Sequence, residues 1–295
     1  MKKNQYLLIF IFLILVSIIL ICSHNSSRIR GCSCEVEYTT QHKTSDTAGG
    51  TLLPLVDTSP QYLSESPVTL ELFFKNSTIP KKIYQTYKSK SSVPQKVFEN
   101  IKKYATEYDY EFFSDEDCIA FIEKYFPANV LTAYNKLENR AHKADLFRYC
   151  ILYINGGIYL DIKTVLLKPL KDIFKENYVY SSISSIKDSI YQGVLASPPK
   201  NKFFLELIDY IVVTRVISYY LIFTRDFYTQ ILKNINSDIK PGLNTGKQNF
   251  YLFKEECTRD FNDCPDGLDR YGKCCFIYDN KEKIFQVRYS DFPWN

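Results

Sequence analysis

Residues 143–164 read KADLFRYCILYINGGIYLDIKT, and their reading decides the fold. The run of apolar residues ending at Asn155-Gly156-Gly157 predicts a buried helix over residues 140–154, closed by a glycine turn. Ile158-Tyr159-Leu160 then predicts a short strand with Asp161 at its carboxyl end. Open α/β folds place ligand chemistry outside the carboxyl ends of their strands, so a carboxylate at Asp161 can meet a metal or a sugar hydroxyl. Two residues on stands Lys163. Asp145 and Arg148 lie three apart on the helix and share one of its faces, as a helix-surface or buried ion pair does.

Working outward, residues 82–86 predict a first strand after Pro80, and Pro94 opens a helix reaching Tyr104. Residues 108–113 predict a second strand. Ser114 caps the next helix, with Asp117 in the capping-box position. Strands over 178–182 and 191–196, helices over 203–216 and 226–235, and a hairpin of 275–278 with 284–288 complete a layered α/β domain. About 220 residues of compact sequence make one sizeable domain.

The N-terminal part predicts a membrane anchor. Met1-Lys2-Lys3 precedes residues 6–22, YLLIFIFLILVSIILIC, which carry no charge and suffice for most of a bilayer core. A cleaved signal peptide is the competing reading, but the apolar run is long and lacks an Ala-x-Ala ending. The expected organisation is a cytosolic tail at 1–5, a transmembrane signal-anchor at 6–22, a flexible stem at 23–75 and the main domain at 76–295. Its part from 257 on is Cys-rich. Lys2 and Lys3 against Arg28 and Arg30 favour a single-pass type II topology with a lumenal domain, in a Golgi, ER-type or viral membrane. Asn25 and Asn76 sit in glycosylation triplets.

The chain has 9 Cys. Cys257, Cys264, Cys274 and Cys275 do not fit zinc spacing, and one or two disulfides suit them better. Cys32 or Cys34 can cross-link a homodimer. Cys118 and Cys150 read as small buried hydrophobes. A net charge of +4, with both signs interspersed, leaves no basic stripe, which argues against a nucleic-acid partner. The acidic run from Asp260 to Asp269 fails calcium-loop spacing and reads as local turns. His142 reads as an ordinary core or surface histidine.

Several stretches together resemble glycosyltransferase family 32, the sugar transferases with an Asp-x-Asp signature. Ile79-Pro80-Lys81-Lys82-Ile83-Tyr84-Gln85-Thr86-Tyr87 resembles the family's opening strand, with Tyr84 and Tyr87 in place of His and Trp. Lys143-Ala144-Asp145-Leu146-Phe147-Arg148-Tyr149 resembles its helix, and Gly156-Gly157-Ile158-Tyr159-Leu160-Asp161 its turn and strand. Lys168-Pro169-Leu170 follows as in the family, and Gly193-Val194-Leu195-Ala196-Ser197-Pro198 resembles a later acceptor-side strand. The resemblance covers roughly residues 79–235.

It implies a GT-A-like, single Rossmann-type domain with a mixed central sheet, behind the N-terminal transmembrane helix. It also implies transfer of a hexose (mannose, galactose or an N-acetylhexosamine) with retention, from a nucleotide-diphosphate sugar donor to a glycan or glycolipid acceptor. Asp161 and Lys163 would be catalytic, with Gln85, Thr86, Asp145, Arg148, Gly157 and Tyr159 around the donor. Asp161 would hold a divalent cation, Mn²⁺ by expectation.

The family's second carboxylate is replaced by Lys163, and three consequences stand. The ammonium can itself neutralise the leaving diphosphate. It can point away while Asp161 and a substitute such as Asp172 or Asp188 bind the metal. Or the site is inactive, in a sugar-binding or structural membrane protein.

Overall fold

The computed structural model describes residues 78–214, 221–264, 267–290 and 292. In chain order these form β1 (Lys82–Thr86), α1 (Gln95–Tyr104), β2 (Asp109–Phe113), α2 (Asp115–Tyr125), α3 (Ala128–Lys136), α4 (Arg140–Asn155), β3 (Gly157–Leu160) and β4 (Thr164–Leu166). Then come β5 (Val179–Ile183), β6 (Ile190–Ser197), α5 (Lys202–Val213), α6 (Ile222–Asn234), β7 (Gly242–Asn244), β8 (Phe250–Thr258), β9 (Cys274–Asp279) and β10 (Glu282–Val287).

All ten strands join one mixed sheet, ordered β2-β1-β3-β6-β5-β8-β9-β10-β4, with β7 on β8. β1 runs parallel to β2 and β3, whereas β3 pairs antiparallel with β6. Only Asp161-Ile162-Lys163 separates β3 from β4, yet β3 is third in the order and β4 last. The sheet must therefore curl until its far end returns to those three residues. The expected α/β class with a mixed sheet holds.

The local reasons are legible. Ser114 accepts from the Asp117 amide while the Asp117 carboxylate accepts from the Ser114 amide, completing the capping box of α2. Asn139 caps α4 by accepting from Ala141 N at 2.8 Å. Residues 145–153 of α4 are all buried, Leu146, Phe147, Ile151 and Leu152 fully, so this stretch of the helix lies inside the domain with its ion pair. Truncating Phe147 to Ala would cost about 3–5 kcal/mol. The helix ends at Gly156, whose φ is 64° and where a Cβ would stand 2.5 Å from Pro199 N.

The membrane-anchored part of the expected fold is corrected. No helix among the described residues is long and apolar enough to cross a membrane. The longest, α4, has 16 residues and buries Asp145 and Arg148, whereas a span needs about 20 apolar ones. The expected transmembrane signal-anchor at 6–22, the stem, and the triplets at Asn25 and Asn76 lie outside the described residues. The type II topology, the lumenal Golgi or ER-type localisation and the membrane as partner therefore have no support in the described fold.

The disulfide-linked homodimer through Cys32 or Cys34 is corrected likewise. Those two positions also lie outside the described residues. The disulfides described are Cys257–Cys275 and Cys264–Cys274, both within one chain. Cys118 and Cys150 are buried free thiols, as expected. Asp260 and Asp269 serve turns, accepting from the amides of Asn262 and of Tyr271 and Lys273.

Candidate functional site

A cavity of about 430 Å³ opens at the carboxyl ends of β1 and β3, bounded by the N-terminal half of α4, the β5–β6 turn and the segment after β10. That is the position open α/β sheets give to ligands.

Asp161 is fixed through its backbone. Its amide donates to Gly193 O at 2.7 Å, and its carbonyl accepts from Thr164 N at 2.9 Å and from Gln85 Nε2 at 3.2 Å. The carboxylate, left to face the cavity, accepts from Arg148 Nη2 at 3.0 Å. Arg148 also meets Asp145 through Nη1 at 3.3 Å and lies over the Tyr159 ring, 4.7 Å from its centre. Burial opposes the charge of this guanidinium, but Asp161, Tyr159 and Asp145 outweigh it and hold it protonated. Burial pushes the Asp145 carboxyl up to about 6, against the pull of Arg148, and Asp161 adds to the rise.

Beside Asp161, on the neighbouring strand, stand Tyr191, Gln192 and Gly193 of β6. A Cβ on Gly193 would lie 2.2 Å from the Tyr191 hydroxyl and 2.6 Å from Asp161 Oδ2, so glycine alone leaves room for both groups. Tyr149 donates to Gln192 Oε1, while the buried Gln192 Nε2 has no hydrogen-bond partner. Glu255, 2% exposed, accepts from Ser184 Oγ, from Ser185 N and Oγ, and from the Tyr289 hydroxyl. Burial raises the phenols of Tyr191 and Tyr289 well above their ordinary value, and Glu255 and Asp161 add to it.

Of the residues expected at the site, Thr86, Asp145, Arg148, Tyr159, Asp161 and Lys163 line the cavity. Gln85 and Gly157 do not. Gln85 supports the Asp161 carbonyl from behind, and Gly157 lies at the start of β3, where a Cβ would be 2.9 Å from Lys82 O. Lys163 directs its ammonium to Ser290 O at 3.1 Å. His142 packs edge-on against Phe223. Tyr191, Gln192, Arg288 and Tyr289 were not singled out from sequence. Only the short stretch beginning at Gly193 hinted at this wall, and nothing in the sequence joins residues 288–289 to a motif more than a hundred positions away.

The side chains around Asp161 do not assemble a metal cage. One Asp161 oxygen is taken up by Arg148, the second motif position is an ammonium, and neither Asp172 nor Asp188 lines the cavity. Among the described residues, the three-ligand cluster found is Glu255 with Cys257 and Cys275. Those two cysteines are joined in a disulfide and offer no thiolate.

Comparison with known proteins fits this geometry. Residues 91–180 match the family described as a glycosyltransferase sugar-binding region containing a DXD motif, a type consistent with divalent-cation use. An uncharacterized glycosyltransferase of Acanthamoeba polyphaga mimivirus is 33% identical over 129 residues, 43% of this chain and 50% of that protein. The initiation-specific alpha-1,6-mannosyltransferase of Saccharomyces cerevisiae is 35% identical over 103 residues, 31% of this chain and 21% of that one. A mannosyl phosphorylinositol ceramide synthase of the same yeast is 30% identical over 133 residues, 44% and 34% of the two chains. The chain thus spans half or less of the length of these curated relatives.

Proposed function

We propose that this chain, which carries a DXD-type sugar-binding region and is related to fungal mannosyltransferases, transfers a hexose from a nucleotide-diphosphate sugar to a hydroxyl of a glycan or glycolipid. The observation that carries the reading is the Asp145–Arg148–Asp161 chain of contacts on one wall of a single cavity at the strand ends. Carboxylates there can grip sugar or ribose hydroxyls, and the hydrogen bond from Arg148 keeps Asp161 aimed.

In the transfer, the acceptor oxygen bonds to the anomeric carbon as the bond from that carbon to the β-phosphate oxygen breaks. The electron pair stays on the phosphate, which can also take the acceptor's proton. No side-chain base is then required. Negative charge grows on the leaving diphosphate, and cations beside it lower the barrier. A divalent ion such as Mn²⁺ would find Asp161 as the one motif carboxylate remaining. A second reading, a sugar-binding protein without turnover, is favoured by Lys163 in the other motif position.

Incubating the full chain with a panel of nucleotide-sugars and acceptor glycans, and following release of nucleoside diphosphate, tests the reading. Turnover that falls about 10²-fold or more in Asp161→Ala, with folding retained, supports the transferase. Donor binding without release supports the second reading.

A further inference from the structure

The sequence Asp161-Ile162-Lys163 occupies the short link where the curled sheet closes on itself, and its two charged side chains diverge. Asp161 turns to Arg148, while Lys163 reaches Ser290 O. Lys163 lines the main cavity and also a neighbouring cleft of about 520 Å³ that includes Tyr87, Val93, Pro94 and Phe292. Tyr87 and Lys163 are common to both spaces. A nucleotide-sugar has its diphosphate in the middle, so a donor extending from one space to the other carries that group past Lys163.

The charge of the main cavity agrees. Among the described residues, Lys88, Arg140, Arg148, Lys163 and Arg288 line it, against the three carboxylates of Asp115, Asp145 and Asp161. A site that relies on a metal dication needs an excess of oxygen ligands, and an ammonium at the second ligand position repels the ion. A site that binds a diphosphate directly needs an excess of cations.

We propose that Lys163, supported by the cationic wall around it, takes the place of the divalent ion at the leaving diphosphate, so that donor binding and transfer need no metal. This rests on the glycosyltransferase reading above. The ammonium contacts the β-phosphate in the bound donor. As the bond from the anomeric carbon to the phosphate oxygen breaks, the electron pair left on that oxygen, and so the growing negative charge, is met by Lys163. The acceptor's proton goes to the same phosphate, and no other reactant is consumed.

The test is calorimetric titration of the full chain with GDP and with UDP, in EDTA and in MnCl₂. The wild type is expected to bind one of the two with affinities that agree within about twofold between the two conditions. Lys163→Ala should weaken that diphosphate about tenfold and the matching nucleoside by less than about twofold, because only a phosphate contact is lost. Lys163→Asp, which rebuilds the paired carboxylates, should bind poorly in EDTA and recover in MnCl₂. Lys163→Gln, which can still donate to Ser290 O, should behave as the Ala variant does, and the thermal midpoint of each variant checks its folding.

Wild-type binding abolished by EDTA overturns the proposal and leaves the transferase reading standing. Equal weakening of nucleoside and diphosphate also overturns it, because Lys163 is then only a tether for the C-terminal segment. Absence of any nucleotide binding under both conditions overturns the transferase reading and the proposal together.

Discussion

Arg148 Nη2 donates to Asp161 Oδ1 at 3.0 Å, joining residues 13 apart that belong to different elements. The same guanidinium meets Asp145 and covers Tyr159, so one buried cation holds together this side of the cavity. Breaking one partner of a buried ion group leaves its counter-charges stranded. Arg148→Leu should therefore destabilise the protein by about 3–5 kcal/mol. Adding Asp145→Asn to it should recover part of that loss, since one stranded carboxylate is removed. Urea unfolding of the two single variants and the double variant measures the coupling, and simple additivity would contradict the arrangement.

Gly193 makes room for Tyr191 and Asp161. Gly193→Ala would set a methyl 2.6 Å from Asp161 Oδ2 and closer still to the Tyr191 hydroxyl. The overpacking should cost about 1–3 kcal/mol of stability. Displacing the carboxylate by a fraction of an ångström to an ångström should lower turnover about 10²-fold. Steady-state kinetics beside a melting curve separates the two effects, and full activity in this variant would show that Asp161 is not held at its reacting position.

Asp145 gives the fold a pH dependence of known sign. Burial raises its carboxyl to about 6, above the unfolded value near 4. Between those values the folded state holds more protons than the unfolded one, so stability declines as pH rises from about 4 to about 6 and then levels off. The decline belonging to this group should be about 1–3 kcal/mol. Asp145→Asn should remove it. Melting temperatures taken from pH 4 to pH 8 (about half a unit apart) would test this, and an unchanged slope in the Asn variant would sink the assignment.

Cys257–Cys275 ties β8 to β9 across a sequence separation of 18 residues. Cys257 is two positions from Glu255, which holds Ser184, Ser185 and the Tyr289 hydroxyl at the edge of the cavity. Replacing both cysteines by Ser should lower stability by about 3 kcal/mol from loop entropy alone. It should also raise KM for the donor or acceptor as that wall loosens. Reduction with dithiothreitol should produce both effects in the wild type, and reduction of the double Ser variant reads the remaining contribution of Cys264–Cys274.

The sequence foretold elements whose signals are local. β1 falls on residues 82–86 as expected, the capping box at Ser114 forms, and α4 runs into its glycine turn one residue later than expected. The long strand β8 escaped notice because its pattern is broken by a buried charge. Glu255 points inward, where side chains and an amide from two other segments satisfy it. α3 was missed too, a helix of 9 residues that is too short to show its period over more than two turns. Thr86, Asp145, Arg148, Tyr159, Asp161 and Lys163 could be chosen from sequence because they lie near two contiguous motifs. The rest of the lining named here, Tyr191, Gln192, Gly193, Arg288 and Tyr289, could not.

By itself the sequence determined the α/β class, the helix–turn–strand that carries Asp161, and the replacement of the second motif carboxylate by Lys163. These depend on apolar periodicity, glycine and capping chemistry, and residue identity, all of which act over a few neighbouring positions. Tertiary structure alone decided that Asp161 is held by Arg148 while Lys163 turns to Ser290, and that β6 and the segment after β10 complete the cavity. Those relations arise from the curl of a ten-stranded sheet. Pairings between distant strands set that curl, and no local stretch of residues encodes it.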